Sequence, residues 1–126
     1  MRILHIAHQY LPEKVGGVEL YTRWVTQSLS RRGHQVAVFY RRSAPGSGLA
    51  ARTDEADVRI WAVWDGPLTP VGRFLATWRA PLVHRHFEHV LDAFAPDLIH
   101  VEHLMGLPAA LIHFVRQRGI PYVITL

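Results

Sequence analysis

The sequence predicts a three-layer, Rossmann-like α/β domain, with a parallel sheet between two layers of helices. Three observations predict it. Short apolar runs alternate with longer stretches of helical period. Glycine or proline stands where the period changes. The chain has 126 residues, one domain's length, and 49% of them are apolar, enough for a core. Strands that alternate with helices call for right-handed crossovers, which here give the strand order 3-2-1-4-5.

The elements follow in order. Arg2 to Ala7 is a buried strand, and His8 to Gly17 is a loop broken by Pro12 and the pair Gly16-Gly17. From Val18 the period is helical, with Val18, Tyr21, Val25 and Leu29 on one face and Arg23, Gln27 and Arg31 on the other. Glu19 sits in the first turn, favoured by the helix dipole and placed to pair with Arg23. Gly33 ends the helix as a left-handed cap. Gln35 to Tyr40 is the second strand, Arg41 to Ala56 a polar loop, and Val58 to Val63 the third strand. Thr69-Pro70 is a helix start, cap then first-turn proline. Pro81 divides that helix from a second, which runs to Phe94. Leu98 to Val101 is the fourth strand, Leu107 to Arg118 a helix ended by Gly119, and Pro121 to Leu126 a fifth strand. The last strand has no helix after it, so residues 1–126 are expected to be one domain of a longer protein.

Composition excludes several classes. There is no cysteine, so disulfides and thiolate metal sites are excluded. No apolar stretch approaches the roughly 18 residues of a membrane span, and the first residues do not make a signal peptide. The expected location is cytoplasmic, including the inner face of the membrane. The formal charge of +4 suits an anionic partner or a solvated basic surface. No zinc-finger spacing or RNA-binding motif is present, so nucleic acid is not expected. Nine histidines raise the question of a metal, but His84, His86 and His89 lack Asp or Cys partners at consistent spacing, and none is expected. Trp61, Trp64 and Trp78 lie near Arg73, Arg79 and Arg85 in sequence. Core packing is the plainer reading, and a membrane-contacting face is the functional one.

In an open parallel sheet, ligands bind beyond the carboxyl ends of the strands, where the strand order reverses. The loop after strand 1 and the end of strand 4, His100-Val101-Glu102-His103-Leu104-Met105-Gly106, meet there. Gly16-Gly17 precedes a helix N-terminus, where free amides accept phosphate and glycine permits close approach. The plainer reading is a turn into the helix. It is neither a dinucleotide fingerprint nor a P-loop, and strand 2 leads into Arg41-Arg42 where a dehydrogenase needs an acid.

Four segments in order resemble family 4 glycosyltransferases of the GT-B fold. They are Tyr10-Leu11-Pro12, the stretch from Gly16-Gly17-Val18-Glu19 to Gly33-His34-Gln35-Val36, Pro96-Asp97-Leu98-Ile99-His100-Val101-Glu102-His103, and Arg118-Gly119-Ile120-Pro121 to Leu126. The resemblance implies the N-terminal half of an enzyme that moves a sugar from a nucleotide-sugar donor to an acceptor with retention, without a cofactor. It places Gly16 and Gly17 at the donor diphosphate, and His8, Tyr10 and Glu19 on the acceptor side. Many members use the second histidine of an HxH segment against the sugar. Glu102 holds that place here with His103 beside it, so both are candidates to face the sugar. The implied partners are the donor, a lipid-linked or membrane-proximal acceptor, and a C-terminal donor-binding domain of the same protein. The other reading is a Rossmann-like interaction module without catalysis.

Overall fold

The computed structural model describes residues 1–78, 80–104 and 107–125, without the side chains of Thr77 and Trp78. Its elements are β1 (Arg2–Ala7), α1 (Gly17–Arg31), β2 (Gln35–Arg41), β3 (Ser47–Thr53), β4 (Arg59–Asp65), α2 (Pro70–Trp78), α3 (Pro81–Phe94), β5 (Leu98–Val101), α4 (Ala110–Gln117) and β6 (Tyr122–Ile124). They form one six-stranded sheet in the order β3-β4-β2-β1-β5-β6. The five parallel strands stand in the expected order. The sixth, β3, is an addition.

β3 corrects the expectation of a loop from Arg41 to Ala56. It pairs antiparallel with β4, Ser47 opposite Asp65 and Thr53 opposite Arg59. Its residues are polar and small because it is a largely exposed edge strand. Asp54 closes the hairpin, its Oδ1 accepting the amides of Ala56 at 2.8 Å and Val58 at 3.0 Å. Gly48 is required where it stands, since a Cβ there would lie 2.5 Å from the Trp64 ring.

Two cores flank the sheet. On one face, Leu4, Ile6, Phe39, Val63, Ile99 and Val101 pack against α3 and α4 through Phe87, Leu91, Leu111 and Val115. The other core, smaller, gathers Tyr10, Val36, Val38, Tyr40 and Ile60, with Leu29 of α1 packed against it. Trp61 is buried edge-on to Phe94, so it belongs to the core rather than to a membrane face. Arg79 and the side chain of Trp78 lie outside the described residues.

α1 is rotated about its axis from the expected facing, so that Leu29 still meets the core while Val18 and Tyr21 do not. Glu19, Thr22, Thr26 and Gln27 are buried, while Tyr21 is 48% exposed and Trp24 67% exposed. The inward polar stripe has work to do. Gln27 Nε2 donates to Asp54 at 3.1 Å and Glu55 at 3.0 Å, and Ser30 Oγ donates to the Ala56 carbonyl at 2.5 Å, so α1 holds the β3–β4 turn. Arg23 pairs with Glu55 at 2.5 Å and not with Glu19 as expected.

The helix ends follow the local chemistry. Thr69 Oγ1 caps α2 by accepting the Gly72 amide at 3.0 Å. Gly33 and Gly119 take positive φ after α1 and α4. α3 instead ends on Ala95 at φ 49, where a Cβ is strained. Ala95→Gly is expected to stabilise the fold by about 1 kcal/mol, read as a higher urea midpoint with unchanged slope.

Candidate functional site at the ends of β1 and β5

The parallel register of β1 and β5 sets His5 beside His100. Both rings turn toward Glu102, which follows β5. His5 Nδ1 lies 3.0 Å and His100 Nδ1 3.3 Å from the same oxygen, Glu102 Oε1. Thr125, just past β6, meets His100 Nε2 at 2.6 Å. His5 is fully buried, and Glu102 is 6% exposed. The network therefore ties three neighbouring strands together at their carboxyl ends.

These three are the group, among the described residues, whose ligand atoms lie within 4.8 Å of one another. Both Nδ1 atoms already face Glu102, so a cation there would replace those two contacts. His84 stacks edge-on against Phe114 at 4.4 Å, a packing role.

Of the candidate pair, Glu102 is turned inwards and His103 is exposed. The His103 ring lies 4.5 Å from that of His8. His103 borders a groove of about 610 Å³, and Glu102 also lines it, with Gly17, Val18, Tyr21 and Ile124. That is within the roughly 300–1,000 Å³ of small-molecule sites. His8 borders a second cavity of about 220 Å³ beyond β1 and β2. The two spaces thus meet at the His8–His103 pair. The sequence could not show that His5 and His100 share a register position, so it missed His5. It also missed the basic lining of the smaller cavity.

The glycine pair is resolved by its geometry. Neither Gly16 nor Gly17 has positive φ, so the turn conformation does not demand glycine. Gly16 is extended and supplies no side-chain cap to α1. A Cβ on Gly16 would lie 2.7 Å from Glu19 Oε2. Glu19 is buried, its carboxylate folded back over Gly16 from the third helical position. A Cβ on Gly17 would meet nothing within 4 Å. The open approach to the N-terminus of α1 is therefore on the Gly17 side. Tyr10, placed on the acceptor side by the resemblance, is 2% exposed, packs against Tyr40 and lines the smaller cavity beside His8.

Burial pushes the pKa of His8 down, with help from His103 and Arg73 and against Glu19. Burial also lowers His84 and His100, against nearby Glu88 and Glu102 respectively. For these three the unfolded chain binds protons more readily than the folded one below the ordinary value of 6.5. Their contribution is steady above that value and is lost as the pH falls from it toward the lowered folded values. The urea midpoint is expected to drop between about pH 7 and about pH 5, and His8→Gln to reduce the slope. A flat profile would contradict this.

The description "Glycosyl transferase 4-like domain" matches residues 16–126. The chain belongs to this family. No curated protein matches it in sequence. Among solved structures it is similar to sucrose-phosphate synthase from Thermosynechococcus elongatus, at 17% identity and a TM-score of 0.70 over 98% of this chain. It is also similar to the E. coli trehalose-6-phosphate protein bound with UDP-2-fluoro glucose, at 15% identity and a TM-score of 0.55 over 98% of this chain. The trehalose 6-phosphate synthase of Burkholderia multivorans gives 16% identity and a TM-score of 0.55, again over 98% of this chain. At such identities the likeness is one of fold. The glycosyl transferase 4-like chain spans 31%, 32% and 31% of those three proteins, in that order. It has the Rossmann-like architecture of the N-terminal half of a GT-B enzyme. Among the described residues no helix is long and apolar enough to cross a membrane.

Proposed function

We propose that this chain is the acceptor-side half of a nucleotide-sugar glycosyltransferase, joined in the full protein to a C-terminal donor-binding domain. The observation that carries the reading is the meeting of two spaces at His8 and His103, where strand order reverses between β1 and β5. The groove on the His103 side takes the donor, with its diphosphate near the Gly17 amide at the start of α1. The cavity on the His8 side takes the acceptor. Glu102 positions the strands from the wall of that groove, and His103, the more exposed of the two, faces the sugar. The acceptor oxygen bonds to the anomeric carbon with retention as the bond to the diphosphate oxygen breaks, and the hydroxyl proton passes to that leaving oxygen. Amide dipoles and positive charge, most of it from the second domain, stabilise the diphosphate.

Gly17→Ala tests the donor assignment. Alanine is a better helix residue than glycine and meets no neighbour at this position, so stability should hold or rise by up to about 0.5 kcal/mol. Nucleotide-sugar binding, followed by calorimetry or by backbone amide shifts, should weaken by about tenfold, because the Cβ stands where the phosphate approaches. Unchanged binding in a stable variant would leave the glycine pair as a turn alone.

A further inference from the structure

The smaller cavity is unusual in its charge. Lys14, Arg41, Arg42 and Arg73 line it, against the single carboxylate of Glu13. That carboxylate is already engaged. Tyr40 donates its phenol proton to Glu13 Oε2 at 2.8 Å, and Arg42 Nη1 lies 3.8 Å from Oε1.

The cations are built into place. Arg41, at the end of β2, is only 6% exposed and donates from Nη2 to the Asp65 carbonyl at 3.0 Å. Burying a guanidinium is costly unless an anion or a fixed dipole compensates it. Arg42 lies over the Trp64 ring at 4.0 Å, and its Nε is buried without a hydrogen-bond partner. Ser43 Oγ accepts the Leu68 amide at 2.7 Å, which fixes the approach to α2 beside the cavity. Arg73 of α2 is near enough to His8 to help depress its pKa. Four cations therefore converge from three elements on a space of about 220 Å³, beside the proposed point of transfer.

We infer that this cavity binds a phosphate group carried by the acceptor. The inference rests on the glycosyltransferase reading for the word acceptor, but the phosphate site stands on the cavity itself. The volume lies below the roughly 300 Å³ at which ordinary ligand pockets begin, so the cavity holds one small charged group, with the rest of the bearer extending out of it. Guanidinium forks match phosphate oxygens, and a fixed pair of them discriminates against a neutral sugar. The phosphate has two possible bearers, a soluble sugar phosphate or a lipid headgroup. α2 gives the second a physical basis, because Val71, Phe74 and Leu75 form an exposed apolar face on the helix that carries Arg73.

The test is binding to the 126-residue chain without nucleotide sugar, so that it does not depend on transfer. Glucose 6-phosphate, inorganic phosphate and glucose are titrated by calorimetry. Sedimentation is followed with phosphatidylcholine vesicles, with and without phosphatidylinositol phosphate. The comparison protein is the double variant Lys14→Ala/Arg73→Ala, both sites exposed and their loss compatible with folding. Glucose 6-phosphate should bind, glucose should not, and the double variant should bind about tenfold more weakly or worse. Binding confined to the phosphoinositide vesicles, lost in the double variant and weakened by Phe74→Ser, would support the same site with a lipid as the bearer. No phosphate binding in either arm, or binding that the double variant leaves unchanged, would overturn the inference. Phosphate binding without sugar transfer by the full-length protein would keep the site and remove the glycosyltransferase reading. Transfer indifferent to the double variant would do the reverse.

Discussion

Glu102→Ala is expected to destabilise the fold by about 2–4 kcal/mol, a large share of a small domain's stability. The reason is accounting of buried donors. Glu102 Oε1 faces the Nδ1 atoms of His5 and His100, and His5 has no access to water. His5 Nε2 is already without a partner. Removing the carboxylate strands a second nitrogen of the same buried ring and opens a small cavity beneath the loop that carries His103. Glu102→Gln retains an oxygen acceptor in nearly the same volume, so its loss should be smaller. Urea denaturation of both variants decides this. If alanine and glutamine cost the same, or neither costs more than about 0.5 kcal/mol, the network does not hold the strand ends.

His103→Ala should have the opposite profile. The side chain is exposed, so stability should change by no more than about 0.5 kcal/mol. Sugar transfer by the full-length protein should fall about 100-fold, the typical cost of one preorganised polar contact to the developing charge. The pairing of the two variants separates their roles. On the proposed function, Glu102 acts through the fold and His103 at the sugar. A stable His103→Ala protein with undiminished transfer would take His103 out of the site.

The sheet was legible in the sequence because its parallel strands are buried on both faces and read as unbroken apolar runs, such as Val36-Ala37-Val38-Phe39-Tyr40. Right-handed crossovers then fix their order. The facing of α1 was not legible. Its period was read correctly, but periodicity does not say which stripe points inward when the sheet beneath carries His5 and the neighbouring turn needs Gln27 and Ser30. β3 was missed because an exposed edge strand of Ser, Gly, Ala and Arg carries no apolar signal and is held by its ladder to β4. At the site, the loop after β1 and the segment after β5 were both found, since fold topology alone brings them together. Sorting Glu102 from His103 needed the register that puts His5 under Glu102. The basic cavity needed three elements in contact, Lys14 from one loop, Arg41 and Arg42 from the end of β2, and Arg73 from α2.

The measurement that tests the account most directly is nucleoside diphosphate release from nucleotide sugars, compared between residues 1–126 alone and the full-length gene product. The account predicts acceptor-dependent release by the full-length protein, and weak donor binding with almost no turnover by the 126 residues. Robust transfer by the 126 residues alone would contradict the half-site assignment. No release by the full-length protein with any nucleotide sugar, across phosphorylated and lipid-borne acceptors, would contradict the glycosyltransferase reading itself.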